Sequence, residues 1–126
     1  MKCGNLKDQM IRHTLIVVLG LMMSAASASA GEFDGLYYPD GDAEPWNCKA
    51  EDLGTYGGAL GVEGDKFYGT ETKCSLTDPK PTRRGTEFIA QCEGEGDQYR
   101  DIIILKKIST GLLVGNNSGE SEWKSC

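Results

Sequence analysis

The residue types that could do chemistry in this chain are cysteines and carboxylates. It carries five cysteines, 19 acidic residues and a single histidine, His13. Cys48, Cys74, Cys92 and Cys126 are separated by 26, 18 and 34 positions. Zinc sites usually draw two ligands from one tight turn, as in C-x-x-C, and no such pair occurs here. The same absence argues against thiol redox catalysis, in which that motif lowers the thiol pKa. No metal and no cofactor are therefore expected. Glu93, Glu95 and Asp97 cluster on one glycine-rich turn. A glycosidase needs two carboxyl groups facing each other across a cleft, and one turn supplies no opposing wall. A small carboxylate-based hydrolase stays as an enzymatic alternative, but no catalytic residue is assigned.

Other patterns fail on spacing. Asp40, Asp42 and Glu44 alternate as calcium-loop ligands do, yet the sixth position of an EF-hand loop must be glycine and here it is Pro45. Gly54, Gly57, Gly58 and Gly61 lie close together without the G-K-[ST] that ends a phosphate-binding loop. Asn116-Asn117-Ser118 is a glycosylation sequon, relevant only in a eukaryotic secretory pathway.

The elements that must position these residues begin after an address. Residues 1–14 hold Lys2, Lys7 and Arg12 against one acid, Asp8. An uncharged apolar run, Leu15 to Met23, follows, and then the small residues Ser24 to Ala30. That order is a secretory signal peptide, with Ala28-Ser29-Ala30 as the cleavage site. The run is shorter than the roughly 20 residues of a bilayer-spanning helix. Residues 1–30 are thus expected to be cleaved, leaving 31–126 as a single periplasmic or secreted β domain with no membrane span. His13 and Cys3 leave with the signal. What remains has 10 basic and 18 acidic residues, a net charge of −8. Nucleic acid is excluded as a partner, because phosphate contact needs clustered Lys and Arg.

Four cysteines in an exported domain of this size read as two disulfides. Three pairings are possible, and the sequential one, Cys48–Cys74 with Cys92–Cys126, is favoured.

Fifteen glycines are scattered between short apolar segments of 31–126, and no sustained helical stripe appears. Strands are expected around Phe33–Tyr38, Ala59–Val62, Lys66–Thr77, Thr86–Glu93, Gln98–Lys107, Leu112–Val114 and Ser121–Cys126. Gly64-Asp65 suits a hairpin turn with glycine first. Asn47 is expected to cap a short helical turn ended by Gly54. Asp78–Gly85, with two prolines and Lys80, Arg83 and Arg84, reads as a loop. Ile102-Ile103-Ile104-Leu105 fits a strand covered on both faces. The fold class is all-β: a small antiparallel meander of about seven strands, closing into a barrel or curled sheet because closure removes sticky edges.

The aromatic residues suggest a surface. Trp46 and Trp123 each lie just before a cysteine. Each indole either packs over a disulfide or anchors a partner, with Tyr37, Tyr38 and Tyr56 as further members of that surface. Arg83 and Arg84 either pair with acids or sit on a solvated tip.

The order Trp46-x-Cys48, Phe67-Tyr68-Gly69-Thr70-Glu71-Thr72-Lys73-Cys74, Ala90-Gln91-Cys92-Glu93-Gly94-Glu95-Gly96 and a final cysteine resembles a group of small exported four-cysteine proteins of alphaproteobacteria. The resemblance implies export, two disulfides and a β fold, and lends no functional residues. A weaker similarity is to periplasmic inhibitors of C-type lysozyme, small disulfide-bearing β-barrels that present a serine-glycine loop to the enzyme cleft. It rests on Ser118-Gly119 and implies roles for Ser118 and Lys124. The expected function is non-catalytic binding of a protein or envelope component, with a basic partner favoured by charge. The candidate partner-binding residues are Trp46, Trp123, Tyr37, Tyr38, Ser118 and Lys124.

Overall fold

The computed structural model describes residues 31–41 and 43–126. The signal-peptide reading of 1–30, and Asp42 of the acidic turn, lie outside the described residues.

Eight antiparallel strands form a closed barrel in sequence order: β1 (Gly35–Pro39), β2 (Leu60–Glu63), β3 (Lys66–Gly69), β4 (Thr72–Thr82), β5 (Gly85–Gly94), β6 (Asp97–Ile108), β7 (Gly111–Asn116) and β8 (Gly119–Ser125). β1 closes the ring on β8, with Tyr37 opposite Ser125. The expected count of about seven falls one short because the segment from Lys66 onward is two strands. Thr70 and Glu71 turn the chain between β3 and β4, and Glu71 takes the left-handed conformation at φ 53°. Glycine and asparagine usually mark such a turn; glutamate gives no such cue. The Gly64-Asp65 hairpin forms as expected, with Glu63 opposite Lys66 and Val62 opposite Phe67. The helical turn is one 3-10 turn, Ala50–Asp52, and Asn47 is not its N-cap. Instead Asn47 Oδ1 accepts from the Lys49 N–H at 2.9 Å, and Asn47 Nδ2 donates to Asp52 at 2.8 Å.

The proline-bearing segment is not a loop. β4 continues through it, and the chain reverses only at Arg83-Arg84. β3 pairs with β4 no further than Ser75. Leu76 N still donates to Asp65 O at 2.7 Å, and Thr77–Thr82 is thus an outer edge, where a residue without an N–H leaves no ladder bond unmade. Asp78 (φ 52°) takes up a register shift between Thr77 and Lys80.

The disulfide pairing differs from the expected one. The bridges are Cys74–Cys92 and Cys48–Cys126. Cys74 and Cys92 face each other directly across β4 and β5, with Cα atoms 4.0 Å apart, and both point into the barrel. Cys126 N donates to Leu36 O at 2.9 Å, just beyond the end of β8, and its bridge to Cys48 fastens the irregular 43–58 segment to the barrel wall.

Alternation along each strand builds the interior. Phe88, Ala90 and Cys92 face inward from β5, as their spacing predicts. Phe33 meets Phe88 edge-on at 6.2 Å, and Trp123 stacks on Phe67 at 5.1 Å. The buried Tyr37 hydroxyl donates to Phe33 O at 2.7 Å. Ile103 and Leu105 join this core, whereas Ile104 is buried from the outer face of β6. Beside Ile104, a Cβ on Gly115 would stand only 2.9 Å from Arg84 Nη2. That glycine leaves the room the guanidinium occupies.

Candidate functional site

β6 has 12 residues and β7 six. β7 pairs with β6 only from Ile104 onward, so the first half of β6 stands beyond the β7–β8 turn. The inward-facing positions of β6 record the consequence: Leu105 is 0% exposed, Ile103 7%, and Tyr99 43%. The barrel is packed at one end and open at the other.

The opening is a cavity of about 400 Å³. Its floor is Phe67, Ile103 and the Cys74–Cys92 bridge; Thr72, Tyr99 and Asp101 form one wall. Facing them are Val114, the β7–β8 turn with Asn116 and Ser118, and Glu120 and Ser121 of β8. Apolar floors with a few convergent polar groups are the usual form of a ligand site, and the mouths of small barrels are a recurrent place for one.

The rim is held from outside. Arg84 Nε donates to Glu120 Oε1 at 2.9 Å, and Nη2 reaches Asn116 O at 3.1 Å. Asn116 Oδ1 in turn accepts from Ser118 N at 2.7 Å and from Gly119 N at 3.1 Å, which shapes the turn. Glu120 is therefore neutralised by a cation lying outside the cavity. Asp101 is not: its Oδ1 accepts from Ile102 N at 2.8 Å, and no Lys or Arg among the described residues makes an ion pair with it. Among the described residues no basic side chain lines the cavity.

The sequence-derived candidates separate into four groups. Ser118 is exposed on the mouth rim. Lys124 is half-buried away from the mouth, with Nζ 3.3 Å from Asp40. Tyr38 sits opposite Lys124 on the outer face of β1 and is half-buried. Tyr37 and Trp123 belong to the core, 1% and 8% exposed, and offer no surface to a partner. Their parity explains it: both lie on inward positions of strands that close the barrel. Trp46 packs partly against the core and edge-on to the exposed Tyr56 at 5.7 Å, in the 43–58 segment. Arg84 pairs with an acid, whereas Arg83 is exposed at the turn. Glu93, Glu95 and Asp97 are all exposed around the β5–β6 turn.

The cavity's own wall residues Tyr99 and Asp101 did not stand out in the sequence. The available cue is parity: Tyr99 and Asp101 share the inward phase of Ile103 and Leu105, so the face that is apolar at one end of β6 is polar at the other. No family model, curated protein or solved structure matches the chain. The two bridges belong to an oxidising environment outside the cytoplasm.

Proposed function

We propose that this chain is an exported, non-catalytic β-barrel module that binds a protein or envelope component at the open mouth of the barrel. The observation that carries this reading is the cavity itself, where the inward face of β6 passes from Leu105 to Tyr99 and the core stops short of the rim. Export is supported by the leader-like order of residues 1–30 and by the two bridges. A basic partner is supported by the excess of 18 acidic over 10 basic residues after position 30, which steers oppositely charged surfaces toward it.

Affinity capture tests the reading. The oxidised protein and a reduced, alkylated control are immobilised and exposed to envelope extract at moderate salt. A component retained by the oxidised form alone, and displaced by a substitution at the mouth, is the expected result. Retention that ignores the mouth overturns the reading.

Lysozyme inhibition is a second reading, favoured by the exposed placement of Ser118 on the rim. It requires a C-type lysozyme to slow at micromolar protein, with Ser118→Tyr relieving the inhibition. An unchanged rate disposes of it.

A further inference from the structure

The mouth is unbalanced in charge. Of the two acidic residues at its edge, Glu120 turns its side chain to the outer face of β8, where Arg84 meets it, and Asp101 alone holds an inward position. Asp101 keeps one bond to the neighbouring Ile102 N–H and meets no cation among the described residues. Beside it stand the ring of Tyr99 and the apolar side chain of Ile103, with the sulfurs of Cys74 and Cys92 beneath. An occupant must therefore do two things. It must cover apolar surface, and it must compensate a carboxylate that it partly removes from water. A neutral apolar group fails the second requirement and an anion worsens it. A cation on an apolar stem meets both, because the stem lies along apolar surface while the charged end reaches the carboxylate. An aromatic wall adds attraction for the same charge.

We propose that the mouth receives a lysine side chain presented by a basic protein partner, its ammonium at Asp101 and its methylene stem against Tyr99 and Ile103. The proposal rests on the reading of the mouth as the binding end. A protein is favoured over a free amine as the source because the net charge of −8 beyond position 30 acts on the whole charge of the approaching body. A basic surface gains from it many times over, and a single ammonium gains once.

The test uses protein expressed from the full gene with its leader and purified in the oxidised state. Backbone amide shifts are followed while n-butylammonium, n-butanol, butyrate and an acetyl-capped tetralysine peptide are added separately. Saturable shifts of Tyr99, Asp101, Ile102 and Ser121 are expected with butylammonium, and at lower concentration with the peptide. Butanol and the Asp101→Asn variant should each weaken the response about tenfold, the factor that loss of one charge-assisted bond of about 1.5 kcal/mol produces. A second variant, Ser121→Lys, sets a tethered ammonium on the rim and should block butylammonium without touching Asp101.

Butanol or butyrate binding the mouth as well as butylammonium overturns the cation proposal while the mouth stays the binding end. An unchanged response in Asp101→Asn overturns it equally. Butylammonium binding more tightly than the peptide transfers the site to a free amine and overturns the protein source. If no probe moves the mouth residues at all, the binding-end reading falls as well.

Discussion

Removing the Cys48–Cys126 bridge should be among the most damaging changes that leave every strand intact. The bridge closes a loop of 78 residues, against 18 for Cys74–Cys92. Loop-closure entropy gives about 4.5 kcal/mol for the first and about 3.2 kcal/mol for the second at room temperature. Small domains have about 5–15 kcal/mol in total, so the long bridge accounts for a large share. The double variant Cys48→Ala/Cys126→Ala isolates this effect, because Cys126 is exposed and Cys48 only half-buried, and their removal leaves no cavity in the core. Urea unfolding followed by tryptophan fluorescence measures it. With a slope of about 1.5 kcal/mol/M, the midpoint should fall by about 3 M. Peptide mapping of the parent protein must first recover the 48–126 and 74–92 pairs. A midpoint shift under about 0.5 M would refute the loop argument, as would recovery of the sequential pairing.

Other substitutions test the packing and the rim. Phe88→Ala, at a position 1% exposed and edge-on to Phe33, should cost about 3–5 kcal/mol in the same urea assay; a cost under about 1 kcal/mol would place the ring outside the core. Glu71→Gly removes a side chain held at φ 53° and should raise stability by about 0.5–1 kcal/mol, while Glu71→Val should lower it. Arg84→Met and Glu120→Gln, alone and combined, should show a coupling of several tenths of a kcal/mol, small because the pair is more than one-third exposed. That coupling should shrink as salt is raised, and zero coupling at low salt would mean that the guanidinium does not hold the rim.

Much of the fold was legible because strand alternation is a local signal. The inward set Phe88, Ala90 and Cys92 and the doubly covered run at Ile103–Leu105 needed only their own neighbours to be read, and a barrel or curled sheet was expected because closure removes sticky edges. The errors share one cause. Two prolines hid the continuation of β4 through Asp78–Thr82, since their compatibility with a strand depends on β3 ending at Ser75, a distant fact. The turn at Arg83-Arg84 alone would set Cys74 opposite Glu93; the one-residue register shift between Thr77 and Lys80 brings it opposite Cys92, so the pairing depends on two features that no local pattern shows. Glu71 concealed a turn for a related reason, being a residue that does not announce a left-handed conformation.

The candidate site was less legible than the fold. Ser118 enters through the resemblance to lysozyme inhibitors alone, and the structure places it on the rim. Trp123 stands out as an aromatic shortly before a cysteine and Tyr37 only as a further aromatic, which says nothing about the side of the wall they face. Asp101 carries no motif. It matters because β6 outruns β7, which leaves its inward position without a lid, and the relative lengths of two strands are a property of the assembled barrel. Arg84 and Glu120 are 36 positions apart and meet only because the β4–β5 turn folds over the outer face of β7 and β8.

The most direct test of the central claim is hydrogen exchange on the oxidised protein with and without the component it captures from envelope extract. Added protection is expected in 99–103 and 114–121, the two sides of the mouth, with the outer faces of β3 and β4 and the 46–56 segment unchanged. Protection confined to those outer faces or to the Trp46–Tyr56 region, with the mouth exchanging as in the free protein, would contradict it.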